Sequence, residues 1–114
     1  MTVFKKEQRL LKKIEYDSVF NQPSKVVTSE FVFLFRTNDV SHARLGLAIS
    51  KKVMSRASDR NYIKRILRET FRVRNLPSID IVVLAKRSII NTDKSALFAC
   101  VNKAWDKLLI KCEK

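Results

Sequence analysis

The stretch Arg56-Ala57-Ser58-Asp59-Arg60-Asn61-Tyr62-Ile63-Lys64-Arg65-Ile66-Leu67-Arg68-Glu69-Thr70-Phe71-Arg72 reads as one helix with two different faces. Ile63, Ile66, Leu67, Thr70 and Phe71 recur at helical spacing and form a narrow stripe fit for a core. At about 100° per residue, Asn61, Lys64, Arg65, Arg68 and Arg72 fall together in an arc beside that stripe. Several of these cations sit in the first two turns, where the helix dipole favours anions. Like charges gathered against their own helix dipole gain nothing for the folded chain alone. They fit a polyanion lying along this face.

The flanking segments set the fold class. Before the helix, Arg44-Leu45-Gly46-Leu47-Ala48-Ile49-Ser50 alternates, with Leu45, Leu47 and Ile49 on one face. After it, Leu76-Pro77-Ser78 stops the helix, because a residue preceding proline avoids the helical region. Ile79 to Ala85 is then an almost continuous apolar run suited to a buried central strand. The result is a strand–helix–strand unit, for which a right-handed crossover is the general rule. Val26 to Arg36, rich in β-formers at Phe31–Phe35, reads as a strand ending in the turn residues Thr37-Asn38-Asp39. Upstream, Arg9 to Phe20 reads as a loose helix: Leu10, Leu11 and Ile14 can face inward, and Tyr16, Val19 and Phe20 are related as i, i+3, i+4. Asn21-Gln22-Pro23-Ser24 breaks the chain after it. A closing helix, Asp93 to Lys111, puts Leu97, Phe98, Val101, Ala104, Trp105, Leu108 and Leu109 on one face. With no linker and no repeat, residues 1–114 read as one α+β domain, long enough for a single core.

The formal net charge is +13, and it is unevenly spread. Residues 51–74 hold nine cations, adding Lys51, Lys52 and Arg74 to those of the helix, against Asp59 and Glu69. Residues 1–13 hold Lys5, Lys6, Arg9, Lys12 and Lys13 against Glu7. A charge concentrated in two segments is a patch, and patches of this kind mark nucleic acid or another anionic surface. Lys51-Lys52 at a strand end would also serve as edge protection, but their closeness to the basic helix favours a shared patch.

Other function classes find little support. No run reaches the roughly 18 apolar residues of a membrane span, and no apolar region with a small-residue cleavage site follows the basic N-terminus. Cys100 and Cys112 lie about 18 Å apart along one helix, too far to pair with each other, so a reducing cytoplasm is expected. The lone His42 sits in a turn-like segment, and two cysteines with one distant histidine do not supply a zinc site. The acidic residues are scattered, without the converging carboxylates of paired-metal phosphodiester cleavage. A single glycine, Gly46, rules out a glycine-rich phosphate loop. The polypeptide reads as a binder without a catalytic or metal-ligating constellation of its own. Tyr16 and Phe20, spaced i, i+4, either fill the core or stack on unpaired bases.

These residues resemble the protein subunit of bacterial ribonuclease P over about residues 8–110. The most specific part is Arg60-Asn61-x-x-Lys64-Arg65-x-x-Arg68-Glu69, which looks like that family's signature helix. Arg9-Leu10 with Tyr16 and Val19-Phe20, Leu45-Gly46-Leu47 with Ser50-Lys51-Lys52, and Val82-Val83-x-Ala85-Lys86 add to it. The resemblance implies an α-β-β-β-α-β-α order, a mixed sheet packed with three helices, and an unusual left-handed crossover. It also implies a partner, a catalytic RNA that uses Mg2+ to cut the 5′ leader from precursor tRNA, with no cofactor held by the polypeptide alone. Lys51, Lys52, Arg56, Arg60, Asn61, Lys64, Arg65, Arg68 and Arg72 would then face RNA, and Tyr16, Phe20 and Lys86 would belong to a leader-binding cleft. Three positions depart from the pattern: Tyr62 replaces the second arginine of the signature, Leu34 stands where some members carry an aromatic, and Tyr16 stands where phenylalanine is common. A structural RNA-binding protein without a role in cleavage, or a DNA-binding regulator, would share the size and charge. No helix-turn-helix pair supports the latter.

Overall fold

The computed structural model describes residues 9–10, 13–21, 23–38, 40, 42–91 and 93–112. The elements run α1 (Lys13–Phe20), β1 (Ser24–Val27), β2 (Phe31–Thr37), β3 (Arg44–Ala48), α2 (Ala57–Arg72), β4 (Ile79–Ala85), a 3₁₀ turn (Arg87–Asn91) and α3 (Lys94–Cys112). The strands form one mixed sheet in the order β1-β2-β4-β3. β4 is central, antiparallel to β2 and parallel to β3, which explains why its sequence is apolar on both faces.

One face of the sheet carries the main core. Phe31, Phe33, Leu45, Ile81 and Val83 meet α2 and α3 there, and all five are almost fully buried. The five stripe residues of α2 are the ones buried in that helix. Trp105 of α3 fills the centre, its ring 4.8 Å from that of Phe33 and 5.8 Å from that of Phe71. Its indole N–H donates to Thr70 Oγ1 at 2.8 Å, and that hydroxyl donates in turn to the Ile66 carbonyl at 2.7 Å. This explains a polar residue in an otherwise apolar stripe. Thr70→Val preserves shape but orphans the buried indole N–H, so the unfolding free energy in urea should drop by about 1–3 kcal/mol. An unchanged midpoint would show that the Trp105 donor finds another partner.

The opposite face is covered by α1 over only part of its length. The register sorts it into rows: Arg36, Asp80 and Arg44; then Leu34, Val82 and Gly46; then Val32, Leu84 and Ala48. Val19 of α1 and Leu10 bury the middle row with Leu34 and Val82. The third row stays half-exposed, and Val27 of β1, paired with Val32, extends it at 51% exposure.

Some sequence expectations are corrected. The first helix starts at Lys13, not Arg9: Arg9 bridges Leu45 in parallel and the Leu10 amide donates to the Leu45 carbonyl at 3.0 Å, extending the free edge of β3. Residues 26–36 form a hairpin instead of one strand. Thr28 closes it, its amide donating to the Phe31 carbonyl at 2.9 Å and its hydroxyl accepting from the Phe31 amide at 3.0 Å. Ile14 and Phe98, expected inside, are 72% and 54% exposed. Leu11 and the cations Lys5, Lys6 and Lys12 lie outside the described residues. Cys100 and Cys112 are both free, and burial pushes each thiol above its ordinary pKa, with Glu30 adding to the effect at Cys100.

Candidate nucleic-acid interface

The cationic arc of α2 is displayed much as its periodicity dictates. Lys51, Lys52 and Arg56 are exposed ahead of the helix, Asn61 and Arg65 are exposed on it, and Lys64, Arg68 and Arg72 are half-buried. Arg60 has a second task. Its Nη1 donates to the Met54 and Ser55 carbonyls at 2.8 and 3.0 Å, tying the preceding loop to the first turn. Arg56 is the N-cap residue, in an extended conformation and making no side-chain cap.

Lys64 and Arg68, one turn apart, line a cleft of about 170 Å³ with Arg9, Leu10, Tyr16, Leu45 and Leu47. Three separate segments therefore converge across the edge of β3: the basic helix, the aromatic helix and the chain entering α1. Sequence reasoning placed Arg9 in the basic N-terminus and, with Leu10, in the family resemblance, but not among the site residues; its i−1 position to a buried Leu10 was the available signal. Tyr16 reaches the cleft because the chain's single glycine lies beneath it. A Cβ on Gly46 would fall 2.7–2.8 Å from Tyr16 Cε1, Cζ and Oη, closer than side chains tolerate.

α1 is short, and side chains from the sheet hold it in place. Arg44 Nη1 pairs with Glu15 at 2.8 Å. Arg36 Nη1 donates to the Ser18 and Asn21 carbonyls at 3.1 and 2.9 Å, capping the helix end that carries no basic residue of its own. Phe20, at that end, is 46% exposed. Lys86 follows β4 beyond Leu84; its Nζ donates to the Thr28 carbonyl at 2.9 Å and its amide to the Glu30 carbonyl at 2.8 Å, so it also fixes the β1–β2 turn. Neither Phe20 nor Lys86 lines the Tyr16 cleft. Leu34 is buried under α1 and presents nothing to a ligand.

The arrangement places cations beside an aromatic ring and an open apolar row. Among the described residues no group of three or more His, Cys, Asp or Glu is placed to hold a metal ion, and no helix is long and apolar enough to cross a membrane.

Comparison with known proteins agrees with this geometry. Residues 4–109 match the family described as Ribonuclease P. The ribonuclease P protein component of Legionella pneumophila (strain Corby) is 50% identical over 108 residues, covering 95% of each chain. That of Escherichia coli O157:H7 (strain EC4115 / EHEC) is 42% identical over 104 residues, covering 90% of this chain and 87% of the relative. Among solved structures, the Staphylococcus aureus RNase P protein superposes with a TM-score of 0.78 at 26% identity, over 94% of this chain and 95% of the other. The Thermotoga maritima RNase P protein gives 0.72 at 29% identity, over 89% and 94%. An aromatic helix, a mixed sheet and a basic helix in the order α1-β1-β2-β3-α2-β4-α3, with relatives of this closeness, establish that the chain belongs to the ribonuclease P protein component family.

Proposed function

We propose that this chain binds the catalytic RNA of ribonuclease P through α2 and holds the 5′ leader of precursor tRNA in the cleft beside Tyr16, while the RNA, with its magnesium, cuts. The observation that carries this reading is the convergence of Lys64 and Arg68 with Tyr16 in one cleft. Exposed cations on α2 lower the repulsion between two RNA phosphate backbones brought side by side. The ring of Tyr16 takes an unpaired base by stacking, which a structured duplex would not offer. From the cleft, the leader would run over the open row of Val32, Leu84 and Ala48 toward Lys86, with Phe20 beside it. The polypeptide's contribution is affinity and position.

Reconstitution tests this directly. The chain, the ribonuclease P RNA of the same organism and a precursor tRNA are combined at low magnesium, and cleavage is followed. Added protein should raise the cleavage rate, and protein without RNA should cut nothing. A chain that binds the RNA yet leaves cleavage unchanged would be a structural RNA-binding protein instead.

Gly46→Ala probes the cleft. The added methyl group displaces the half-buried Tyr16 ring, carried on a short helix, so stability should fall by about 1–3 kcal/mol. Affinity for precursor tRNA in the holoenzyme should fall about tenfold, the scale of one lost stacking contact, with mature tRNA binding almost untouched. Equal losses for both RNAs would take Tyr16 out of leader recognition.

A further inference from the structure

The loop before α2 and the 3₁₀ turn after β4 enclose a second cavity, of about 380 Å³, that shares no residue with the Tyr16 cleft. Its floor is apolar: Met54, Ile63, Ile89 and Leu97 line it, each at most 9% exposed. Val53 and the half-buried ring of Tyr62 complete the wall. Its mouth is cationic, with Lys52 and Arg56 both exposed there. The volume lies at the lower end of sites that take small organic molecules, about 300–1,000 Å³.

The chemistry of floor and mouth differs, and so must the two ends of the ligand. An apolar floor with one aromatic ring takes a flat, weakly polar group. Two cations at the rim take an anion. Asp59, also in the wall, repels a phosphate that enters deeply, so the anion stays at the mouth. A nucleotide has this division, a base with two π-faces and a phosphate at the other end. The cavity mouth lies at the start of the basic ridge, since Arg56 is the N-cap residue of the helix that carries Lys64, Arg65 and Arg68. An RNA strand laid along that ridge passes the mouth, where an unpaired base can swing out at low cost because it leaves no partner behind.

We infer that this cavity is a receptor for one unpaired nucleotide of a bound RNA, its base inserted against Tyr62 and Met54 and its phosphate held by Lys52 and Arg56. The inference rests on the RNA-binding reading of α2 and adds to it a second, separate base-binding site. It also gives Tyr62, which departs from the signature arginine, a role as a stacking wall in place of a phosphate contact.

The test uses the full chain and three hairpin RNAs that differ at one position: a single bulged adenosine, the same bulge as an abasic ribose, and no bulge. The chain has two tyrosines, so labelling with 3-fluorotyrosine gives two fluorine resonances, assigned with Tyr16→Phe. The bulged adenosine should bind about tenfold more tightly than the abasic hairpin, as one stacked base does, and should shift the Tyr62 resonance. Ser55→Trp, placed on the exposed rim, should block entry and reduce that preference to about one, leaving abasic binding within about twofold. Equal affinity for bulged and abasic hairpins with an unmoved Tyr62 resonance overturns the nucleotide receptor while leaving RNA binding by α2 intact. No binding to any of the three hairpins overturns both readings.

Discussion

Arg44→Ala should lower the free energy of unfolding by about 3–5 kcal/mol, a loss comparable to that of any single core truncation in this domain. Arg44 Nε and Nη2 grip both oxygens of Asp80 at 2.8 and 2.7 Å, and Nη1 reaches Glu15 at 2.8 Å. Asn38 Nδ2 donates to the same carboxylate at 2.8 Å and to the His42 carbonyl at 3.1 Å. The Asp80 side chain is 9% exposed, so the carboxylate is largely removed from water in the first row of the α1 face. Deleting the guanidinium leaves that charge with one neutral donor, and an unpaired buried charge costs far more than the pair contributed. The melting temperature should fall on the order of 10–20 °C. Replacing both partners, Arg44→Met with Asp80→Leu, should be milder than Arg44→Ala alone, because no charge is then stranded. A drop below about 1 kcal/mol for Arg44→Ala would mean that water already reaches Asp80. Since Arg44 also holds Glu15, the same variant frees α1 and should loosen the Tyr16 cleft.

That network shows where sequence reading stops. Arg44 and Asp80 are 36 residues apart and face each other only because β3 lies parallel beside β4, at the register that pairs these two positions. No local pattern announces such a pair, and among so many cations an isolated aspartate reads as surface. The helical stripe was legible because its period is local: five residues at 3.6-residue spacing report their own burial. The exposed arc beside it followed from the same geometry, as did the central strand from its unbroken apolar run. The β1–β2 hairpin was not legible, since Thr28-Ser29-Glu30 contains none of the glycine, asparagine or proline that usually marks a turn. Tyr16 was ambiguous for a physical reason. Its ring lies against the chain's only glycine and also lines the cleft, so it is part core and part surface, and spacing alone cannot divide those roles. Arg60 was read purely as an RNA contact because nothing in the sequence shows that its guanidinium turns back on Met54 and Ser55.

Neutralising the arc itself should have the largest effect on binding. In a chain carrying Lys64→Gln, Arg65→Gln and Arg68→Gln, RNA affinity at physiological salt should fall by about two orders of magnitude. Each lost phosphate contact removes a slope in log affinity against log salt of about 0.7 on single strands, and about 0.9 at the charge density of duplex DNA. Three contacts therefore flatten the slope by about two to three, and the deficit should vanish as salt approaches 1 M, where counterion release no longer favours the complex. Folding should be spared or slightly improved: Lys64 and Arg68 repel one another across one turn, and all three side chains lie outside the buried stripe. A melting temperature at or above that of the parent chain, with weakened binding, separates a lost interface from a lost fold. Should affinity fall equally at low and high salt, the contacts would not be phosphate contacts. Should the slope stay fixed, the RNA would lie on a different face, and the like charges along α2 would again lack a reason.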